Sequence, residues 1–331
     1  MLLTTAASLF ASAAEVLTPA PSRDNKVIRR WSVAGDPRGV AHGSDGTIYV
    51  GLAEPQAVIA IDPKSGAIKK RLVLDSAEIA STKELVTMRT NPERTRLFIA
   101  NGSDESATIL SLPDLAVLRE ITMEGETIRD VVPDPKGRYV YVLGRSVHVY
   151  DKNGHTELRT LPVDDPMAIA ASANGSTLAV VFTEDFGNTK ASSVALFDTN
   201  TFAETRRDPL QTTEAIEAVM FADQDRALIA VSRNHLFEKS KSVTSERICL
   251  PEGSGAQIAT LGSADTVLLY AERRCSASGT FSGENRSVMP ASLYGVNAYA
   301  VAYDKAANAL IVTDRAGFLT LYSVPRVTVA R

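Results

Sequence analysis

Short runs of β-branched and aromatic residues, each following a turn signal, recur along most of the chain. The first three are Thr47-Ile48-Tyr49-Val50 after Asp45-Gly46, Arg96-Leu97-Phe98-Ile99 after Asn91-Pro92, and Arg138-Tyr139-Val140-Tyr141 after Pro135-Lys136-Gly137. Four more are Thr177-Leu178-Ala179-Val180, Ala227-Leu228-Ile229-Ala230, Thr266-Val267-Leu268-Leu269 and Ala309-Leu310-Ile311-Val312. Such runs read as buried strands, because they are short, rich in β formers and bounded by turn residues. A small apolar run precedes most of them, as in Gly39-Val40-Ala41, Asp130-Val131-Val132 and Ala300-Val301-Ala302. An alternating strand ending in an Asp/Asn/Gly turn follows, as in residues 57–66 and 146–154, and then a charged strand such as 67–74. Asp, Asn and Gly accept the backbone conformations that hairpin turns need, and Lys or Arg on an outer strand discourages edge pairing. No long stretch carries an apolar period of 3.6, apart from a short helical turn expected over 76–85.

The seven runs start 39 to 50 residues apart, about 44 on average. A four-stranded repeat of that length is the signature of a β-propeller. The expected fold is therefore all-β: a seven-bladed β-propeller of four-stranded antiparallel blades. The innermost strand of each blade is small because it crowds the axis. An orphan strand over 27–33 precedes the first unit, and the last unit runs out through Phe318-Leu319-Thr320-Leu321-Tyr322-Ser323. The N-terminal strand is expected to complete the last blade, with 327–330 competing for the same place. The stretch 273–289 (RRCSASGTFSGENRSVM) interrupts the sixth unit and reads as a distorted outer hairpin or a loop over the ligand face.

Composition narrows the class. Of 331 residues, 44% are hydrophobic and 22% charged, and the formal net charge is -4, which is the profile of a soluble globular chain. With 35 basic against 39 acidic residues and no basic stripe, nothing favours nucleic acid or an anionic membrane as a partner. The start, MLLTTAASLFASAA, pairs a short apolar stretch with Ala11-Ser12-Ala13, which suits a signal peptidase although a basic first region is missing. It is too short to span a bilayer. Residues 1–13 are read as a signal peptide, 14–26 as a linker and 27–331 as one propeller domain, placing the protein in the periplasm or outside the cell as a monomer. In such a compartment the two cysteines, Cys249 and Cys275, are expected to form a disulfide between adjacent blades, two buried thiols being the alternative.

The units also resemble a known repeat. Phe98-Ile99-Ala100-Asn101-Gly102-Ser103 running into Ala107-Thr108-Ile109-Leu110, Tyr49-Val50-Gly51 running into Val58-Ile59-Ala60-Ile61-Asp62, and Pro133-Asp134-Pro135-Lys136-Gly137-Arg138-Tyr139-Val140 are similar to the YVTN-type repeat of lactonase-like seven-bladed propellers. The resemblance covers most of units one to four and unit seven and fades in five and six. It implies the propeller and leaves the function open, since similar rings serve as hydrolases, cofactor-bearing subunits and binding modules. The Trp of quinoprotein blades, the Trp-Asp of WD repeats and the glycine pair of kelch repeats are missing.

No nucleophile elbow, phosphate-binding loop or zinc-protease motif occurs, and His42, His148, His155 and His235 show no metal-ligand spacing. No metal or cofactor is expected. Nine residues before each buried run stand Arg38, Thr87, Arg129, Ala168, Ala218, Gln257 and Ala300. Arg38, Arg129 and Gln257 at the axial mouth suit an anion, because guanidinium forks match carboxylate and phosphate. Glu54 and Asp165, with Asp36, Glu126, Asp185 and Asp314, are neighbouring counterions, or the arginines simply pair with them at the rim. The function expected is a binding or assembly module for a small molecule or a protein, working through its axial mouth and loop face. The alternative implied by the resemblance is a lactonase-like hydrolase of a small anionic substrate.

Overall fold

The computed structural model describes residues 16–19, 27–74, 86–101, 105–187, 189–210, 212–222, 225, 227–232, 235–240, 246–249, 257–260, 266–270, 288–292, 298–304 and 306–323. Two N-terminal strands, β1 (Thr18–Pro19) and β2 (Val27–Ser32), come first. The first four-stranded sheet is β3 (Pro37–His42), β4 (Ile48–Ala53), β5 (Gln56–Ile61) and β6 (Ile68–Val73). The second is β7 (Val86–Thr90), β8 (Arg96–Asn101), β9 (Ser106–Ser111) and β10 (Val117–Thr122). The third is β11 (Asp130–Pro133), β12 (Tyr139–Leu143), β13 (Val147–Asp151) and β14 (Glu157–Leu161). The fourth is β15 (Pro166–Ala171), β16 (Thr177–Phe186), β17 (Thr189–Asp198) and β18 (Glu204–Pro209). The fifth is β19 (Ile216–Ala222), β20 (Ala227–Ser232), β21 (His235–Ser240) and β22 (Glu246–Cys249). Then come β23 (Gln257–Thr260), β24 (Thr266–Tyr270) and β25 (Val288–Ser292), and finally β26 (Ala298–Asp304), β27 (Ala309–Asp314) and β28 (Phe318–Ser323). Among the described residues there is no helix, and so none long and apolar enough to cross a membrane.

Strand alternation explains why the second strand of each unit reads as unbroken apolar sequence. Ile48 and Val50 of β4 pack with Trp31, Leu319 and Leu321 of the terminal strands, whereas Tyr49 packs with Leu97, Ile99 and Leu110 of the second sheet. Successive side chains point to opposite faces, and here both faces meet another sheet. The described core is thus a series of apolar slabs between neighbouring sheets; others join the second sheet to the third, the third to the fourth and the fourth to the fifth. The fourth strands of the first four sheets face water and are charged, as in β14 with four exposed residues followed by buried Leu161. First strands touch in cyclic order: β3 meets β7, then β11, β15, β19, β23 and β26, and β26 returns to β3.

The expectation for the N-terminal strand holds. β2 pairs antiparallel with β28, Trp31 opposite Leu319, and β1 adds a further strand outside it, making a five-stranded sheet. The described part of the stretch read as a linker therefore lies along the sheet, with Leu17 buried and donating its N–H to the Gly66 carbonyl at 2.9 Å. Gly66 turns at φ 76° directly against the Trp31 indole, so a side chain there would collide with the ring. Burial of this one indole, 3% exposed, contributes up to about 5 kcal/mol, against about 1 kcal/mol for a single backbone hydrogen bond. Residues 327–330, the competitors for this edge, lie outside the described residues, as do 76–85.

A second sheet also departs from the four-stranded antiparallel plan. β25 runs parallel to β24, and the sheet has three described strands. Two strands joined by a tight hairpin must be antiparallel, so a parallel β25 requires a longer connection; the intervening 271–287 lie outside the described residues. Cys249 ends β22 opposite His235, while Cys275 lies outside them.

Polar ties lace one face of the ring. At the turn from β11 to β12, Asp134 is fully buried and its carboxylate accepts from the Arg138 guanidinium at 2.7 Å. Arg138 in turn donates to the Gly175 carbonyl at 2.6 Å and to Asn200 Oδ1 at 2.7 Å, joining the third sheet to the fourth. Asp225 accepts from the amides of Ala173 and Asn174 at 2.7 and 3.0 Å, joining the fifth to the fourth, and Arg96 donates to Asn153 between the second and third. A buried carboxylate persists only when fully satisfied, and Asp134 has a fork of guanidinium and backbone donors. On the same face, turn N–H groups of Ser65, His155 and Thr201 hold the carboxyls of Asp62, Asp151 and Asp198 below the ordinary range. This face is committed to structure. Ligand chemistry is to be sought on the other.

Candidate functional site at the axial mouth

At the opposite end, four first strands break register at the same place. The ladder skips one residue between Pro37 and Gly39, Pro166 and Ala168, Ile216 and Ala218, and Ala298 and Ala300. Each skip is a β-bulge, which leaves one residue unpaired and re-aims its side chain. The residues so released are Arg38, Met167, Glu217 and Tyr299. In two of the four the strand is entered through Asp-Pro, with Asp36 and Asp165 at positive φ (53° and 46°), a conformation Asp tolerates better than most residues.

Arg38 and Tyr299 line a cavity of about 460 Å³ that follows the first strands inward. Its walls are Val40, Val132, Val219 and Val301 with Met88, Met220 and Phe221, and its polar groups among the described residues are Arg38, Arg89, Thr87, Thr90 and Tyr299. The Arg38 guanidinium lies 5.1 Å from the Tyr299 ring centroid and pairs with Asp36 at 2.8 Å. Arg315, in the turn between β27 and β28, stands 5.0 Å from the same ring. Cation–π attraction holds both guanidiniums beside one aromatic face system despite their like charge. Deeper in, Arg89 forms a two-pronged pair with Asp130, at 3.0 and 2.7 Å. The Asp130 carboxylate raises the Arg89 guanidinium further above its ordinary range, so this cation is permanent. Its side chain is 46% exposed, whereas Asp130 is 13% exposed.

The other sequence-derived candidates lie elsewhere. Arg129 is not among the wall residues; it donates to the Gly144 carbonyl at 2.6 Å and reaches Asp165 at 3.8 Å, and Asp165 is 81% exposed. Glu54 occupies the exposed turn from β4 to β5, its amide on the Gly35 carbonyl. Gln257 opens β23 opposite Leu269. Counting nine residues back drifts because the turns differ in length. Thr87, Ala168, Ala218 and Ala300 share one place in the ladder, opposite Ala100, Val181, Val231 and Thr313, but that place holds Gly39 in the first sheet and Asp130 in the third. Tyr299, Arg315 and the Arg89–Asp130 pair escaped the count altogether. The repeated Asp-Pro ahead of Arg38 and Met167 is the signal that marks the bulges.

Among the described side chains the histidines do not converge. His42 is buried near Asp304, 3.7 Å away, and burial lowers its basicity; His148 lies between Glu157 at 2.9 Å and Glu126 at 3.4 Å, near the outer part of its sheet. Among the described residues no three His, Cys, Asp or Glu side chains are placed to hold a metal ion.

The two kinds of arginine can be separated by stability. Arg89→Met strands the Asp130 carboxylate and is expected to cost about 1 to 3 kcal/mol in urea unfolding. Arg315→Met, losing an exposed cation–π contact, should stay within about 1 kcal/mol of the parent. Equal costs would contradict this assignment.

No family model matches the chain, and no curated protein matches it in sequence. Solved structures do. Virginiamycin B lyase from Staphylococcus aureus superposes with a TM-score of 0.62 at 10% identity, covering 89% of this chain and 98% of the lyase. Kuenenia stuttgartiensis hydrazine synthase superposes with a TM-score of 0.55 at 14% identity, covering 85% of this chain and 74% of that one. At such identities the likeness concerns fold alone, and the fold it supports is of the β-propeller type.

Proposed function

We propose that this chain is an exported seven-bladed propeller that binds a small anionic ligand at its axial mouth. The observation that carries the reading is the pair of guanidiniums, Arg38 and Arg315, gathered at the Tyr299 ring over a cavity of about 460 Å³. Guanidinium, hydroxyl and phenol groups on the described wall suit recognition; an arginine does not lose its proton near neutral pH and so is no general base. Seven repeat units in the sequence, seven sheets among the described residues and the cyclic contacts of their first strands support the blade count. The YVTN-type assignment rests on the repeat residues of units one to four and seven. Arg129, Glu54, Asp165 and Gln257 belong, on this reading, to the loop face around the mouth.

Export is supported by the small-residue pattern Ala11-Ser12-Ala13 after an apolar start, with residues 1–13 removed and the mature protein periplasmic or secreted as a monomer. In that compartment Cys249 and Cys275 pair. Thiol titration of the unfolded, non-reduced protein is then expected to find no free thiol; two free thiols would overturn the pairing.

The ligand reading is tested by ligand-observed NMR with acetate, octanoate, phosphate and sulfate against the full chain and against Met220→Trp, which narrows the cavity from its wall. At least one anion should bind the parent and lose binding in the variant at an unchanged melting temperature. Absence of binding by every anion, or equal binding by the variant, would overturn it.

A further inference from the structure

The mouth and the interior of the cavity differ in kind, and from that difference we infer that the ligand is an apolar monocarboxylate, its carboxylate at Arg38, Arg315 and Tyr299 and its hydrocarbon body among the valines and methionines below. This rests on the axial mouth being the binding site and adds the class of molecule bound there.

Charge accounting selects a monoanion. Arg38 is neutralised by Asp36 at 2.8 Å. Asp314, in the same turn as Arg315, is already committed: it accepts from the amides of Ala316 and Phe318 at 2.9 and 3.0 Å and faces Arg30 at 3.9 Å. Arg315 has no carboxylate within ion-pair distance among the described residues, so one positive charge beside the aromatic ring is left without a direct partner. One carboxylate balances it. A second negative charge would have to sit on the apolar wall, where removal from water is not repaid.

The interior makes the same choice by a different route. Its one deep cation among the described residues, Arg89, is already engaged by both carboxylate oxygens of Asp130. A second anionic group reaching Arg89 would meet the Asp130 charge. The rest of the described lining is dominated by Val40, Met88, Val132, Val219, Met220 and Val301. Methionines adapt to irregular apolar shapes, and each methylene taken from water onto such a wall multiplies affinity by up to about fourfold. The volume, about 460 Å³, is in the range of pockets that enclose most of a small ligand's surface. A straight or cyclic chain of about eight carbons uses both ends of the site.

Isothermal titration calorimetry on the full chain with acetate, hexanoate, octanoate, octan-1-ol and sulfate tests this, using the parent, Arg315→Met and Arg38→Met. Thermal melting and near-ultraviolet circular dichroism confirm that each variant is folded. Affinity is expected to rise from acetate to octanoate by about thirtyfold or more, and octanol to bind at least about tenfold more weakly than octanoate. Arg315→Met should weaken octanoate about tenfold and leave octanol unchanged; a folded Arg38→Met should behave the same way. If sulfate or acetate binds as tightly as octanoate through these arginines, the apolar class is overturned while the anion-binding mouth stands. If octanol equals octanoate in parent and variants alike, the carboxylate is overturned. If none of the five binds, both the class and the mouth reading fall.

Discussion

Each of the first four sheets has two apolar faces, and so each needs a neighbour on both sides. That constraint forces the sheets into a cycle and makes its closure the critical contact. Closure is made by strands from the two extremes of the described chain, with β2 lying on β28 and Trp31 filling the slab between the last sheet and the first. The indole also rests on Gly66, at a turn of the first sheet, so one side chain touches both sides of the seam. The outer β1 covers the Trp31–Ser32 end of the remaining edge of β2 and ties back to Gly66 through Leu17. An unpaired strand edge invites association with other chains, and the described arrangement covers part of the edge where the cycle begins and ends.

The two ends of the ring have been given different work. At one, Asp134, Arg138 and Asp225 knit neighbouring turns together with charged and backbone hydrogen bonds. At the other, bulges at the starts of four first strands release single side chains from the ladder. A bulge costs ladder hydrogen bonds, which a rigid ring tolerates because the slabs behind it hold the strand in place. Arg38 and Tyr299 owe their meeting to two such bulges on adjacent strands, β3 and β26. The chemistry of the mouth is thus a by-product of local irregularity on a regular frame.

The frame was largely legible in the sequence, for a physical reason. Strands buried on both faces must be continuously apolar, so Ile48-Tyr49-Val50 and its counterparts stand out, and the Asp, Asn and Gly turns between them recur because few residues accept those backbone angles. The closing strand was legible too, since an orphan strand at the start needs an edge to join. The site was not, because it depends on single-residue shifts. Turns one residue shorter or longer move Arg38 into a bulge, put Arg129 outside the wall and bring Asp130, with Arg89 from the neighbouring sheet, to the equivalent place. Tyr299 and Arg315 are far from Arg38 in the chain and meet it only when the ring is closed. The sixth sheet, with β25 parallel to β24, resisted because its turn signals are replaced by a Ser- and Gly-rich stretch.

Closure through the terminal strands is the claim on which the rest stands. Amide hydrogen exchange of the full chain and of Trp31→Ala, followed strand by strand, addresses it most directly. Removing the indole is expected to raise exchange in Val27–Ser32 and Phe318–Ser323 well above that in Tyr139–Leu143, on the far side of the ring. Phe318–Ser323 protected in Trp31→Ala as fully as in the parent would contradict the account.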